Sequence, residues 1–351
     1  MSIRNYKKIV SLSAPAITAL GLHHVFDKKY SGRGHILMFH RVLPKDNRPR
    51  VHNHESLEID PEQLEQTILF FKKRNYLFLS INELSDHLKS DTKRKFVVFT
   101  FDDGYIDNLI YAYPIFKKYG IPFTIYITSN FINARTVIWW YQLEEELLKK
   151  DQLIFTWQNQ EHHLAAETKT QKEIAFEEVR KLITGTANPH QYLDQLSKFF
   201  GMAEEQLFAY TRSHAMNWDQ LTELAKDPIV TIGAHTANHL PLKNLESDQL
   251  YAEIINSKIE IEDHIKKKIY HFAYPFGKKL EAGEREYEFV KSHHFRTAVT
   301  TNIGNIFTGH LNHLHKLPRV NINSLTTEDV LELQVSGMVS FFINGKDQVL
   351  Q

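Results

Sequence analysis

The sequence predicts an α/β fold in which parallel strands alternate with helices around a barrel. Short apolar runs such as Phe96–Phe101 and Ile229–Ala234 are separated by stretches whose apolar residues keep helical spacing. His40, the pair Asp102-Asp103, His235 with His239, and Pro275-Phe276-Gly277 each follow directly after such a run. Catalytic groups of barrels built from βα units gather at the C-terminal ends of the strands, so this placement is the expected one. A chain of 351 residues, 42% of them hydrophobic, is long enough for one elaborated barrel with a large core.

Taken in order, His35–Phe39 reads as a buried strand, and a linker rich in Pro, Asn and Arg follows to about Glu58. Asp60-Pro61-Glu62-Gln63 starts a helix, with Asp as N-cap, Pro at the first helical position and Gln three residues after the cap. Tyr76–Leu79, the helix-like Ile81–Lys89 and the strand Phe96–Phe101 come next. Asn108–Tyr119 reads as a helix ended by Gly120, and Pro122–Thr128 as a strand. Trp139-Trp140 opens a long stretch to about Phe208, rich in Glu, Lys and Gln, in which only Leu153–Trp157 resembles a strand. It is expected to form a helical insert, about 141–216, over the barrel. Asn217 starts a helix, and the alternation then resumes. Strands are expected at 229–234, 270–274, 297–301 and 317–322, with helices at 248–265 and 282–291. Residues 35–325 would form the barrel, and Thr326 onward a C-terminal helix and tail.

Composition removes several classes of function. Lys+Arg and Asp+Glu balance at 42 each, which argues against a nucleic-acid-coating protein. With no cysteine, disulfides and thiolate chemistry are excluded, and any metal must sit on His, Asp or Glu. Charge is uneven, however. Residues 1–50 hold ten basic side chains against Asp27 and Asp46, and between the basic clusters lies the apolar segment Ile9–Leu22. That segment is shorter than the roughly 20 residues a spanning helix needs, and Pro15 interrupts it. It begins like a signal peptide, but the sequence after it has no small-residue cleavage site. Residues 1–34 are therefore expected to be a basic segment, either a peripheral membrane-surface anchor or a plain packing or surface segment. The expected location is cytoplasmic, at the inner membrane face, with export left open.

Asp102-Asp103-Gly104 on its own suits a turn. Neighbouring side chains at a strand end point in different directions, so one carboxylate can hold a metal while the other faces the attacking water. His235 and His239, spaced i, i+4, can present two imidazoles to one point. Two nitrogens and a carboxylate leave coordination positions open for water and substrate, with Zn2+ the default cation and other divalent metals also suited.

Thr100-Phe-Asp-Asp-Gly104 and His235-Thr-Ala-Asn-His239 resemble the first two motifs of the polysaccharide deacetylases, the NodB-homology carbohydrate esterases. Met38-Phe-His40-Arg-Val and Phe272-Ala-Tyr-Pro-Phe-Gly277 resemble the branch acting on N-acetylglucosamine-type sugars. The resemblance implies a distorted (β/α) barrel of about seven βα units with a helical insertion, and a metal held by Asp103, His235 and His239. It makes Asp102 the general base and the Phe276 backbone N–H the oxyanion donor. Tyr274 and Pro275 would shape a sugar groove. Trp139 or Trp140 would offer a stacking surface or serve the core, and His40 and Tyr105 are further substrate-binding candidates. Two departures stand out. Ala273 replaces an arginine common in the third motif, and Leu317-Pro-Arg319 stands where the family's last motif has a histidine acid. Arginine cannot release a proton, so Arg319 would orient Asp102 or bind substrate. The acid is left among His40, His313, His315 and Asp102. The expected activity is metal-dependent removal of acetyl from an N-acetylated sugar or glycan. The alternatives are an amidase on a non-sugar amide and a non-catalytic glycan-binding scaffold.

Overall fold

The computed structural model describes residues 12–46, 48–51, 55–186 and 189–349. The basic residues Arg4, Lys7 and Lys8 and the first part of the apolar N-terminal segment lie outside the described residues. The strands in chain order are β1 (Gly34–Phe39), β2 (Arg41–Val42), β3 (Glu58–Ile59), β4 (Leu77–Phe78), β5 (Phe96–Phe101), β6 (Phe123–Ile127), β7 (Gln152–Trp157), β8 (Gln160–Ala165), β9 (Val230–Ala234), β10 (His271–Ala273), β11 (Thr297–Ile303) and β12 (Leu317–Asn321).

Seven of them, β1, β5, β6, β9, β10, β11 and β12, form a closed parallel barrel, with β4 added to the edge of β5. Closure comes from β1, which pairs with β5 from Gly34↔Phe96 to Phe39↔Phe101 and with β12 at Leu37↔Val320. The barrel is distorted where β9 meets β10 through the single pair Phe272↔Ala234, and where the register shifts between β11 and β12.

Strand alternation sorts side chains into two layers. Ile36, Phe96, Val98, Tyr126, Ala273, Val299 and Leu317 fill the barrel interior as one cluster. Leu37, Phe39, Val97, Phe99, Phe101, Phe123 and Ile125 face the other way, into the core shared with the helices. The same two-residue period that places Phe96 and Val98 inside also sends Thr100 and Asp102 inward.

Several helix starts follow the sequence signals. The Asp60 side chain accepts from Gln63 N at 2.9 Å, and Asn217 makes a reciprocal capping box with Gln220. Gln63 does not close a box of its own, because its amide reaches Thr326 O at 2.9 Å. Two expected helices contain π turns, at Asn108–Ala112 and Ala252–Asn256. The expected single C-terminal helix is two, Glu328–Val335 and Met338–Asn344, separated by Gly337 in the left-handed region.

The segment between β6 and β9 is not wholly helical. β7 and β8 form an antiparallel hairpin closed by Gln158 and Asn159, both at positive φ, as a two-residue turn requires. The polar sequence of β8, Gln160–Ala165, hid it, because that strand is mostly exposed. Helices Trp139–Lys149, Lys169–Thr184, Pro189–Phe200 and Glu204–His214 complete the segment. Its far end is tied to the Asp102-Asp103 turn: Met216 N donates to Gly104 O at 3.1 Å.

Candidate active site

β5 carries Asp102 to the inner mouth of the barrel, where it meets Arg319 from β12. The guanidinium holds both carboxylate oxygens, Nη1 to Oδ1 and Nη2 to Oδ2, each at 2.7 Å. Arg319 also donates from Nε to Thr300 O at 2.9 Å and from Nη1 to Thr100 Oγ1 at 3.3 Å. Burial alone would push the Asp102 carboxyl up, but this charge-assisted pair holds it below the usual carboxylate value.

Asp103 breaks the alternation. Its φ of 80°, followed by Gly104 at 91°, turns the chain so that the second carboxylate returns over the mouth. Oδ1 lies 3.4 Å from His235 Nε2 and 3.4 Å from His239 Nε2, and no hydrogen-bond partner satisfies that buried oxygen. Spacings of 3.4 Å are too long for good hydrogen bonds. They match a shared cation: donors about 2.1 Å from a tetrahedral ion lie about 3.4 Å apart. Among the described residues, these three form the group able to hold a metal.

His235 Nδ1 donates to Ala273 O at 2.7 Å, which turns Nε2 toward Asp103. Burial would lower the His235 pKa, but the adjacent carboxylates of Asp103 and Asp102 outweigh it and raise that pKa. Burial pulls His239 down to about 3, leaving that ring neutral and able to donate a lone pair. Asp103 itself is held well below the carboxylate range by the surrounding imidazoles despite its burial.

The histidine loop is strained, with Thr236 at φ 67° and His239 at 58°. Glu253, on the second π turn, holds it. Its buried carboxylate accepts from Asn238 N at 2.8 Å and Asn238 Nδ2 at 2.6 Å. Phe276 sits at φ 58°, and Gly277 packs so tightly that a Cβ there would lie 2.7 Å from Thr301 N. Thr301 Oγ1 donates to Phe276 O.

A cavity of about 600 Å³ opens over the triad, lined by His40, Asp102, Asp103, His235, His239, Trp139, Trp140, Phe276 and Lys278. The helix Lys169–Thr184 roofs it with Glu173, Ile174, Phe176, Glu177 and Arg180. A roomier cavity of about 750 Å³, beside helix Pro61–Lys73, holds no histidine and none of the triad. The chemistry belongs to the smaller one.

Not every sequence candidate reaches this cavity. Tyr274 is fully buried and donates its hydroxyl to His315 O at 2.9 Å. Pro275 lies in the turn behind Phe276 and also misses the cavity. Tyr105 is buried as well, its oxygen accepting from Trp140 Nε1 at 3.0 Å. Arg319 is enclosed by the barrel interior and acts on Asp102 instead of lining the cavity. His315 bonds Phe295 O, and His313 is equally remote from the cavity lining. His40 does reach the site, with Nε2 3.9 Å from Asp102 Oδ2 and Nδ1 unpartnered. Its loop is fixed by Asn108 Nδ2, which donates to His40 O at 2.8 Å. Asp107 anchors the same loop by accepting from Arg41 Nε and Val42 N. Asp107, Asn108 and Glu253 went unnoticed in the sequence, where nothing distinguishes them from ordinary helix residues.

Comparison with known proteins bears on the family and the fold. The profile of the Polysaccharide deacetylase family matches residues 89–198 and 185–290. The "Putative polysaccharide deacetylase YxkH" of Bacillus subtilis (strain 168) is 32% identical over 117 residues, 33% of this chain and 37% of that protein. This match thus spans little more than a third of its length. The deacetylase PplD of Streptococcus pyogenes, solved with acetate, superposes with a TM-score of 0.54 at 19% identity, covering 85% of this chain and 96% of that one. A de-N-acetylase from Aggregatibacter actinomycetemcomitans gives 0.54 at 17% identity over 86% and 99%. IcaB from Ammonifex degensii gives 0.51 at 17% over 88% and 97%. At these identities the structural likeness establishes the shared barrel.

Proposed function

The chain belongs to the polysaccharide deacetylase family, and from that premise we propose that it removes acetyl from an N-acetylated sugar of a bacterial glycan with the help of a divalent cation. The observation that carries this reading is Asp103 Oδ1, buried, unpartnered and 3.4 Å from both imidazole Nε2 atoms. Asp103, His235 and His239 would hold the cation, most simply Zn2+, which would polarise the acetyl carbonyl and acidify the attacking water.

The protein's own groups do the remaining work. Asp102, kept ionised and oriented by Arg319, takes the proton of the attacking water. The Phe276 N–H, in a turn at φ 58°, is the proposed donor to the developing oxyanion. His40 is the proposed proton donor to the leaving nitrogen. Of the groups weighed for that role, it and Asp102 face the cavity. Trp139, Trp140, Phe176 and Phe276 give the cavity aromatic walls, which supports a sugar over a small non-sugar amide.

The test is acetate release from N-acetylglucosamine oligomers with and without a chelator, and in Asp102→Asn. Activity that survives chelation, or equal activity in the variant, contradicts the mechanism. Turnover of simple cyclic amides in place of the oligomers would transfer the chemistry to the amidase reading.

A further inference from the structure

At the other end of β1 from His40 lies a surface that the catalytic reading does not use. Residues 12–19 form a helix whose Ala14 and Ile17 pack on Val330, Leu333, Met338 and Val339. Its outward positions are Leu12, Pro15, Ala16 and Ala19, continued by Leu20, all exposed and spaced as one helical stripe. Leu12 and Leu20 are 74% and 73% exposed, and Val25, on the next helix His24–Tyr30, is 79% exposed.

The C-terminal helix adjoins this stripe. Phe26 packs against Phe341 and Phe342 with ring centroids 5.2 and 6.0 Å apart, leaving Phe342 60% and Ile343 44% exposed. Residues 12–30 and the C-terminal helix together hold six of the thirteen large apolar side chains exposed among the described residues, Leu22 included. That concentration is unlike scattered surface apolars and marks an interaction face.

Charge identifies the partner. From Ile9 to Phe26 the sequence has no Asp, Glu, Lys or Arg, and basic pairs flank it, Lys7-Lys8 before and Lys28-Lys29 after. Lys28 and Lys29 stand three and four residues beyond Val25, on the same helix face, and both are exposed. The two acids in contact with this segment are each engaged, Asp27 with His24 Nδ1 at 2.8 Å and Asp329 with Thr18 Oγ1 at 2.5 Å. Among the described residues no helix is long and apolar enough to cross a membrane.

We propose that this face docks onto an anionic lipid bilayer, with Leu12, Leu20, Val25 and Phe342 entering the acyl boundary and Lys28 and Lys29 meeting headgroup phosphates. Helix His24–Tyr30 leads into the start of β1 at Gly34, and His40 follows its other end at Phe39, six strand residues or about 20 Å further on.

The test is co-sedimentation of the full chain with vesicles of phosphatidylglycerol and phosphatidylcholine, beside vesicles of phosphatidylcholine alone. Binding to the anionic vesicles is expected, weakened by salt, with little binding to the neutral ones. Leu20→Asp with Val25→Asp should lower partition about tenfold or more. Lys28→Gln and Lys29→Gln should each lower it about fivefold. All four side chains are exposed, so melting temperature should stay unchanged. Absence of binding to anionic vesicles, or equal binding by the Leu20/Val25 variant, overturns the proposal. So does a concentration-dependent dimer abolished by the same substitutions, which would assign the face to a second copy of the chain.

Discussion

Arg319→Met is the substitution that tests the site's internal logic most directly. Arg319 has a fully enclosed side chain and Asp102 one that is 2% exposed, joined by two 2.7 Å bonds. Removing the guanidinium strands a buried carboxylate, which costs about 3–5 kcal/mol when a buried pair is broken from one side. Asp102→Asn should cost less. The guanidinium would keep Thr300 O and Thr100 Oγ1, and the new amide still offers it one oxygen. In the double variant neither charge remains, so stability should recover by about 2 kcal/mol relative to Arg319→Met. Urea denaturation followed through the fluorescence of the four tryptophans measures all three. A loss under about 1 kcal/mol in Arg319→Met, or strictly additive effects in the double variant, would refute the claim that Arg319 exists to hold Asp102.

Three further outcomes follow from other contacts. Glu253→Gln places an amide donor against the N–H groups of the histidine loop and should weaken Zn2+ or Co2+ affinity about 10–100-fold in chelator competition. Equal affinity in variant and parent would show that the loop holds its shape without Glu253. Burial lowers His35 and His271 to about 3 in the folded state, against an ordinary value of 6.5. The unfolded chain therefore binds these protons first, and stability is lost as pH falls from 6.5 toward 3, by about 2 kcal/mol per histidine between pH 6.5 and 5. Melts at those two pH values check it, and His271→Asn should shrink the difference. His40→Asn should depress amide hydrolysis far more than hydrolysis of an activated phenyl acetate, whose leaving group needs no proton. Parallel loss on both substrates would remove His40 from the donor role.

The barrel was legible because its strands are short, continuous and apolar, as strands buried on both faces must be. Phe96–Phe101 is the clearest case: it is fully buried, and it was bounded correctly by the charged residues on either side. Segments whose burial is partial were harder. β8 shows no apolar alternation because its side chains are mostly exposed, and its partner Leu153–Trp157 was readable only because it alternates between buried and exposed. The π turns at Asn108–Ala112 and Ala252–Asn256 were not visible at all, since one extra residue per turn barely alters an apolar spacing.

The site shows where chain adjacency misleads. Asp102 and Asp103 are neighbours, yet one follows the inward row of β5 and the other reaches the mouth through a left-handed turn. Tyr105 and Tyr274, equally close to motifs, point into packing instead. What decides is the local backbone: Asp103, Thr236, His239 and Phe276 all have positive φ, and each stands where a strand gives way to the mouth. Such conformations cost of order 1–3 kcal/mol each and persist only when surrounding bonds impose them. Glu253 beneath the histidine loop, Thr301 on Phe276 O and Asn108 on His40 O supply such bonds from distant elements. The motifs therefore name the reacting groups, while the residues that strain them into register lie on helices and strands whose sequence carries no motif.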